Sequence, residues 1–275
     1  MYFESHAHYD DERFDEDRDT LLASFPAEGI ETVVNASSDI KSSKASISLS
    51  EKYPFFYAAV GVHPHEVENI TEADIDELRE LSKHPKVVAI GEIGLDYYYD
   101  LSPRDLQRHW FKRQLELADE LKMPVIIHSR DAAQECFDII KNSNVRNGVI
   151  HCYSGSAEMA EEYIKMGFYI GVGGSLTFKN NKKGVETVER IPIEKILIET
   201  DSPYLAPVPY RGKRNDSRLL KYVVERISQI KNIPENDNNA PQNIPAMQRI
   251  PKDEQGNPLY EQADSDTAWD AIVEQ

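Results

Sequence analysis

The chain has 275 residues, of which 40% are hydrophobic, and 48 acidic against 31 basic side chains give it a net charge of −17. No stretch approaches the roughly 20 consecutive apolar residues of a membrane span, and two cysteines are too few for a disulfide framework. The acidic balance argues against the broad basic surface of most nucleic-acid-binding proteins. Because the first residues contain no basic and then apolar signal segment, we expect a cytoplasmic protein.

Short β-rich apolar runs alternate with longer helical patterns along most of the chain. We predict eight strands, near residues 2–6, 31–36, 55–61, 87–92, 124–128, 147–151, 168–171 and 195–200. The segment 102–122 is predicted to be a helix, since apolar residues such as Leu115, Ala118 and Leu121 recur at helical spacing. Residues 131–142 have a similar pattern. Eight repeats of strand and helix indicate an α/β protein with a parallel sheet.

Such a sheet either closes into a barrel or stays open and doubly wound. An open sheet usually carries a Gly-rich phosphate-binding turn after its first strand, whereas residues 5–10 contain no glycine. A closed barrel typically needs roughly 250 residues. We therefore predict a single (β/α)8 TIM barrel over residues 1–231.

Residues 232–275 differ in composition from the rest of the chain. They contain five prolines, several Asn and Asp residues, and nine acidic against two basic side chains. They therefore account for −7 of the net charge. We predict an extended or partly disordered tail that carries no chemistry.

Six His, Glu and Asp side chains fall at the ends of predicted strands one, four, five, six and eight. In a barrel these ends converge on the C-terminal rim, where the active sites of this fold lie. Imidazoles and carboxylates there are suitable ligands for zinc, manganese or a similar ion. Each residue alone could be structural, but six at the same end of successive strands predict a metal site. The six residues are His6, His8, Glu92, His128, His151 and Asp201.

Three other residues with reactive side chains are interpreted as structural. His84 lies in a loop at the opposite end of the predicted barrel, and His109 lies in the middle of a predicted helix. Cys152 follows His151, which could suggest a Cys–His nucleophile. Neighbouring residues of a strand point to opposite faces, however, so this pairing is disfavoured.

Several segments together resemble the TatD family of metal-dependent deoxyribonucleases, which are amidohydrolase-like barrels. The resemblance covers roughly residues 1–230. The segments are Ser5-His6-Ala7-His8-Tyr9-Asp10, Gly61-Val62-His63-Pro64-His65, Gly91-Glu92-Ile93-Gly94-Leu95-Asp96, Pro124-Val125-Ile126-Ile127-His128-Ser129-Arg130, His151-Cys152-Tyr153-Ser154-Gly155, Glu199-Thr200-Asp201-Ser202-Pro203-Tyr204 and Pro207-Val208-Pro209-Tyr210-Arg211-Gly212-Lys213-Arg214-Asn215.

The resemblance implies a site for two divalent ions, with magnesium, manganese and zinc as candidates. One ion would be held by His6, His8 and Asp201, the second by His128 and His151, and both by Glu92. It also implies that DNA is the substrate, cleaved in an exonuclease-type reaction. Asp201 would be the general base for the attacking water. No obligate protein partner and no membrane are expected.

Further residues near the predicted rim are candidates for binding phosphate groups. His63 follows the third strand, and Arg130 follows the fifth. Arg211, Lys213 and Arg214 form a basic loop soon after Asp201, which could also be only a solvated turn.

Two other functions stay open at this point. A small-molecule amidohydrolase, lactonase or phosphoesterase would use the same barrel and metal site, and the acidic composition favours it. A non-catalytic metal-binding scaffold would be expected to have lost a ligand, and all six are present. The sequence also departs from the family pattern at Glu4, where the family usually has Asp. The extra methylene alters a carboxylate next to the first two histidines.

Overall fold

The computed structural model describes residues 2–233, which form eight strands and eight α-helices. The strands are β1 (Tyr2–Ala7), β2 (Ile30–Ala36), β3 (Phe56–Val60), β4 (Val87–Asp96), β5 (Val125–Arg130), β6 (Gly148–Ile150), β7 (Phe168–Val172) and β8 (Ile196–Ile198). The helices are α1 (Arg18–Ser24), α2 (Ile40–Lys52), α3 (Glu72–Leu81), α4 (Arg104–Leu121), α5 (Ala133–Lys141), α6 (Ala157–Lys165), α7 (Lys182–Arg190) and α8 (Leu220–Lys231).

Each strand pairs in parallel with the next one along the chain, in the order β1 to β8. The first and last strands meet just beyond β8, where Ala7 and Ser202 form a parallel bridge. There the His8 amide donates to the Ser202 carbonyl at 2.8 Å, and the Asp201 amide donates to the His6 carbonyl at 3.0 Å. These bonds close the sheet, and the predicted (β/α)8 barrel is confirmed.

The interior of the barrel is filled by a buried cluster to which every strand contributes. Because side chains alternate along a strand, residues two positions further on face the same way. His128 lies two residues beyond Ile126, and His151 lies two residues beyond Val149, so both point inward above the core. The cluster consists of Phe3, Val34, Tyr57, Ala59, Val88, Ala89, Ile126, Val149, Tyr169 and Leu197.

A second, larger core packs the helices against the outside of the barrel. In α4, Trp110, Phe111 and Leu115 are buried on one face. This buried face has the helical spacing that was predicted for residues 102–122. The observed helix begins at Arg104, directly after Pro103. Proline suits this position because its missing amide hydrogen would have no partner in the first turn.

Strand β4 is longer than predicted, because it continues past Glu92 to Asp96. Two glycines inside this strand, Gly91 and Gly94, allow close packing on β5, since a side chain at Gly94 would collide with the backbone of His128. The added residues carry Asp96 to the rim beside His128.

Helix α8 ends at Lys231. Most of the predicted tail, residues 234–275, lies outside the described residues. None of the helices between residues 2 and 233 combines the length and the apolar character that crossing a membrane requires.

Candidate metal centre

Four side chains, at the end of β1, within β4 and just after β8, direct their ligand atoms at one another. His6 Nε2 lies 3.1 Å from His8 Nε2 and 3.2 Å from Glu92 Oε2. Asp201 Oδ1 lies 3.4 Å from His8 Nε2 and 3.8 Å from His6 Nε2. Ligands about 2.1 Å from a tetrahedral ion are about 3.4 Å apart, so these spacings suit one divalent ion. We call these four residues the first ligand group.

The other carboxylate oxygen of Glu92 faces a second set of imidazoles. Glu92 Oε1 lies 2.8 Å from His128 Nδ1, 3.1 Å from His151 Nε2 and 3.6 Å from His63 Nε2. We call Glu92 with His128 and His151 the second ligand group, and His63 lies beside it. Glu92 is 3% exposed, so its two oxygens have little access to water and lie between the two groups.

Two of these histidines have a polar contact on the far side of the imidazole ring, a hydrogen bond for His8 and an ion pair for His151. His8 Nδ1 lies 2.9 Å from the Ala36 carbonyl oxygen, which can only accept a hydrogen bond. Nδ1 must therefore carry the proton, which leaves the Nε2 lone pair of His8 free for a metal. Similarly, His151 Nδ1 faces Glu199 Oε1 at 3.3 Å. These contacts match the outer partners of metal-binding histidines.

The electrostatics of the centre favour ionised carboxylates. Burial alone would raise the pKa of Glu92, but the imidazoles of His151 and His6 lower it well below its usual range. Burial also acts to raise the pKa of Asp201, and a hydrogen bond from His8 offsets this, so that the net pKa is lowered. Both groups are therefore carboxylates at neutral pH, as metal binding requires.

The pKa values of the histidines in this centre shift in both directions. Burial lowers the pKa of His6 and His63, so these rings stay neutral. Burial also acts to lower the pKa of His8, but Asp201 and Glu92 raise it to about 9. The negative field that favours a proton on His8 equally favours a cation, and a bound cation would replace that proton.

His63 has a fixed tautomer that separates it from the other histidines. The backbone amide of His65 donates to His63 Nδ1 at 3.2 Å. Since Nδ1 accepts, the proton of the neutral ring is on Nε2, the atom that faces Glu92. His63 can therefore donate a hydrogen bond into the centre.

Asp96 and Glu199, which were not among the predicted site residues, contact two of the predicted metal ligands. Asp96 Oδ2 lies 2.9 Å from His65 Nε2 and 3.1 Å from His128 Nε2, and Glu199 contacts His151 as described above. Asp96 and Glu199 belong to the segments that resemble the TatD family, but nothing in their spacing showed which histidine each would contact.

The basic residues predicted to bind phosphate occupy different positions. Arg130 and Arg211 line a pocket of about 850 Å³ that also contains His128, His151 and Asp201. Arg214 is instead paired with Asp17, its two nitrogens donating at 2.7 and 2.6 Å. Lys213 is exposed and is not among the residues that line this pocket.

Of the residues interpreted as structural, His84 and His109 lie apart from the metal centre, whereas Cys152 lies beside it. His84 faces Glu51 at 3.4 Å, and His109 lies in α4 with its ring against Trp110. Cys152 borders the pocket, but burial raises the pKa of its thiol far above neutral. The reactive thiolate form is therefore suppressed.

Comparison with known proteins agrees with this architecture. A sequence profile of the TatD related DNase family matches residues 3–241. The metal-dependent hydrolase YabD of Bacillus subtilis is 45% identical over 233 residues, covering 84% of this chain and 91% of its own length. A Salmonella typhimurium protein named 3'-5' ssDNA/RNA exonuclease TatD is 33% identical, covering 78% of this chain and 86% of its own.

Solved structures show the same relationship. The crystal structure of YJJV, a TatD homolog of Escherichia coli, superposes with a TM-score of 0.80 at 30% identity, covering 85% of this chain and 91% of that one. A TatD family hydrolase of Entamoeba histolytica has a TM-score of 0.77 at 26% identity, covering 85% and 92%. The chain belongs to the TatD related DNase family and is a metal-dependent hydrolase of that family.

Proposed function

We propose that this hydrolase cleaves phosphodiester bonds in DNA with the help of two divalent ions. The observation that carries the proposal is the position of Glu92, whose two oxygens face two separate groups of nitrogen and oxygen ligands. The first ion would be held by His6, His8 and Asp201, and the second by His128 and His151, with Glu92 shared. Magnesium, manganese and zinc are all candidates.

Asp201 is the proposed general base. Divalent ions in such a site lower the pKa of water and stabilise negative charge on phosphoryl oxygens. Asp201 lies at the pocket, and its lowered pKa keeps its carboxylate ready to accept the proton of the attacking water. Glu92 remains ionised between the two groups and holds their ligand atoms in place.

The remaining polar residues bind the substrate in this proposal. His63 donates its Nε2 proton to an oxygen of the phosphate that is cleaved. Arg130 and Arg211 contact neighbouring phosphates from within the same pocket. Lys213 and Arg214 belong to the same basic loop as Arg211. Arg214 already pairs with Asp17. We therefore propose that Arg214 and Lys213 contact the phosphates that lie farthest from the metal centre, at the outer end of the phosphate path.

Cleavage from a strand end is the proposed mode of action. The support is the name of the Salmonella relative, a 3'-5' exonuclease on single-stranded DNA and RNA. The protein is expected to act in the cytoplasm without an obligate protein partner.

A small-molecule hydrolase is the second candidate. The net charge of −17 would repel a polyanion, and a pocket of about 850 Å³ lies within the usual range for small ligands. A non-catalytic scaffold is less favoured, since the chain retains all six predicted metal ligands.

Hydrolysis of short single- and double-stranded DNA tests the proposal. Metal-free protein is supplied with magnesium, manganese or zinc, and an Asp201→Asn variant is compared with Asp105→Asn, an exposed control on α4. We expect metal-dependent cleavage, a loss of about 100-fold or more in kcat for Asp201→Asn, and no change for the control. Intact DNA with every metal, from protein that binds about two ions, would instead favour small phosphoesters, lactones or amides.

A further inference from the structure

Large apolar side chains that are exposed concentrate around one pocket. Among residues 2–233 they occur on two loops, one between β4 and α4 and the other after β8. Tyr98, Leu205 and Val208 from these loops line the pocket that contains Asp201. Exposed apolar surface that borders a polar site commonly marks a binding surface. The exposed residues are Tyr98, Tyr99, Leu101, Tyr204, Leu205, Val208 and Tyr210.

Two arginines of the pocket are stacked on aromatic rings. The guanidinium of Arg130 lies 4.2 Å from the ring centre of Tyr98 and 4.8 Å from that of Tyr99. Across the pocket, Arg211 lies 4.4 Å from the ring centre of Phe178. Within the described part of the chain, neither guanidinium has a carboxylate partner, in contrast to Arg214. Stacking holds the plane of each guanidinium and leaves its N–H edge free for an anion.

This arrangement suits a chain of phosphates that carries flat, exposed rings. Arginine forks bind phosphate oxygens, and tyrosine faces stack on nucleobases. Inside a duplex the base faces are covered by neighbouring base pairs, so away from the duplex end only an unpaired base can lie on an aromatic side chain. Stacking does not depend on a broad basic surface. It can therefore contribute affinity for a nucleic acid even on a protein with a net charge of −17.

We propose that Tyr98, which lines the pocket, stacks on an unpaired base next to the phosphodiester that is cleaved. The Tyr99 ring stands at 88° to that of Tyr98 and would lie against the edge of this base, while Arg130 and Arg211 contact phosphates on either side of the metal centre. This inference rests on the proposed function and adds the residues that select an unpaired strand. The tyrosines act on the base itself and not only by holding Arg130.

The KM for single-stranded DNA, measured with the metal-loaded enzyme, tests this role. A Tyr98→Ala/Tyr99→Ala variant is expected to raise KM about 5- to 100-fold. The matched Tyr98→Phe/Tyr99→Phe variant keeps both rings and is expected to restore the KM of the original protein. If the alanine variant has an unchanged KM, the stacking proposal is wrong.

A second substrate separates stacking from an indirect effect through Arg130. It is the same strand with abasic spacers at the positions that flank the cleaved bond. The original protein is expected to bind the abasic strand about 5- to 100-fold more weakly than the intact strand. On the abasic strand, the alanine variant is expected to have the same KM as the original protein. If the alanine variant still raises KM on the abasic strand, the rings act through Arg130 and the phosphate, and the proposal is overturned.

Failure of the proposed function has a different signature. The original protein is also tested on a small activated aryl phosphodiester, which has no base to stack. If this compound is hydrolysed but the tyrosine variants leave DNA cleavage unchanged, the proposed function stands and the stacking proposal is wrong. If neither DNA nor the aryl diester is hydrolysed with any metal, the proposed function itself fails.

Discussion

At the scale of single residues, Glu199 lies behind His151, one of the proposed metal ligands. Its side chain is fully buried, and Oε1 contacts both His151 Nδ1 and the backbone amide of Cys152. Gly171 makes room for the other oxygen, because a side chain there would collide with Glu199 Oε2. The carboxylate therefore places the His151 Nε2 lone pair toward Glu92.

Replacing Glu199 by glutamine is expected to weaken metal binding about 10- to 100-fold. The amide keeps the size of the side chain but no longer favours the proton on His151 Nδ1. Calorimetric titration of metal-free protein with zinc or manganese measures the effect, and Glu194→Gln, at an exposed position before β8, is the control. Equal affinities for the two variants would show that Glu199 does not orient His151.

Contacts of single residues can be predicted from sequence when the residues lie close together in the chain, but not when the contact depends on how two strands pair. His6 and His8 were predicted to lie together because their spacing alone places them on one face of a strand. Asp96 contacts His65 and His128 only because β4 and β5 pair with a particular register, with Gly94 opposite His128. Such a register is a property of the folded sheet, so residue types could not reveal these contacts.

At the scale of elements, the contact between β4 and β5 positions His128. Gly94 has a φ of +149°, and a Cβ there would collide with the His128 carbonyl oxygen. The strand can pass this close to its neighbour only without a side chain. The same contact explains why β4 reaches Asp96, beyond the end that was predicted from sequence.

Gly94→Ala is expected to lower the free energy of unfolding by more than about 4 kcal/mol, because the collision adds to backbone strain. Gly29→Ala is the matched control. Gly29 has a φ of +78° but open space around the missing side chain, so the cost there is about 1–2 kcal/mol. Denaturant unfolding compares the two variants. Similar losses for both would mean that β4 and β5 can separate at little cost.

Element positions were predicted more accurately than element ends. The eight strands were predicted because β-rich runs alternate with helical periods. This pattern arises because whole faces of helices and strands are buried, so it can be read from the sequence. Ends depend on local packing instead. Strand β8 stops at Ile198, two residues before its predicted end, because the next residues turn toward β1 and bond to its side chains.

At the scale of the whole molecule, the acidic charge coexists with two arginines at one pocket that have no carboxylate partner within residues 2–233. For a strand short enough to reach Arg130 and Arg211 but not Lys213 and Arg214 at the outer end of the phosphate path, binding should depend weakly on salt. We expect log affinity to fall against log salt concentration with a slope of about −1.4. The measurement is a titration of labelled single-stranded DNA at several salt concentrations.

An Arg130→Ala variant is expected to halve this slope, to about −0.7. Lys112→Ala, at an exposed position on α4, serves as the control and should leave the slope unchanged. A slope steeper than about −4 would require several further phosphate contacts, and it would contradict binding by the two arginines alone.

The seam between β1 and β8 is joined by a side chain as well as by backbone bonds. The buried Glu4 carboxylate accepts hydrogen bonds from the Thr200 amide and hydroxyl, both at 2.7 Å, and from the Ser217 hydroxyl at 2.8 Å. Burial raises the pKa of Glu4 to about 8, although these hydrogen bonds act to lower it. Thr200 precedes Asp201, so this seam also fixes one side of the first ligand group.

Glu4→Ala is expected to lower the free energy of unfolding by about 3 kcal/mol or more, since it leaves buried donors without a partner. This corresponds to a fall in Tm of about 6–12 °C for a domain of this size. Thermal unfolding is compared with that of Glu31→Ala, at a half-buried position on β2. A Tm within about one degree of the control would show that backbone bonds alone close the barrel.

The seam also determines the order in which the molecule can be completed during synthesis. Glu4 and Thr200 are separated by 196 positions, so β1 leaves the ribosome long before its partner exists. Until then both end strands of the growing sheet have unpaired edges, which invite association with other chains. The first ligand group likewise joins His6 and His8 to Asp201 across this gap. A nascent chain therefore acquires that group only when the barrel closes.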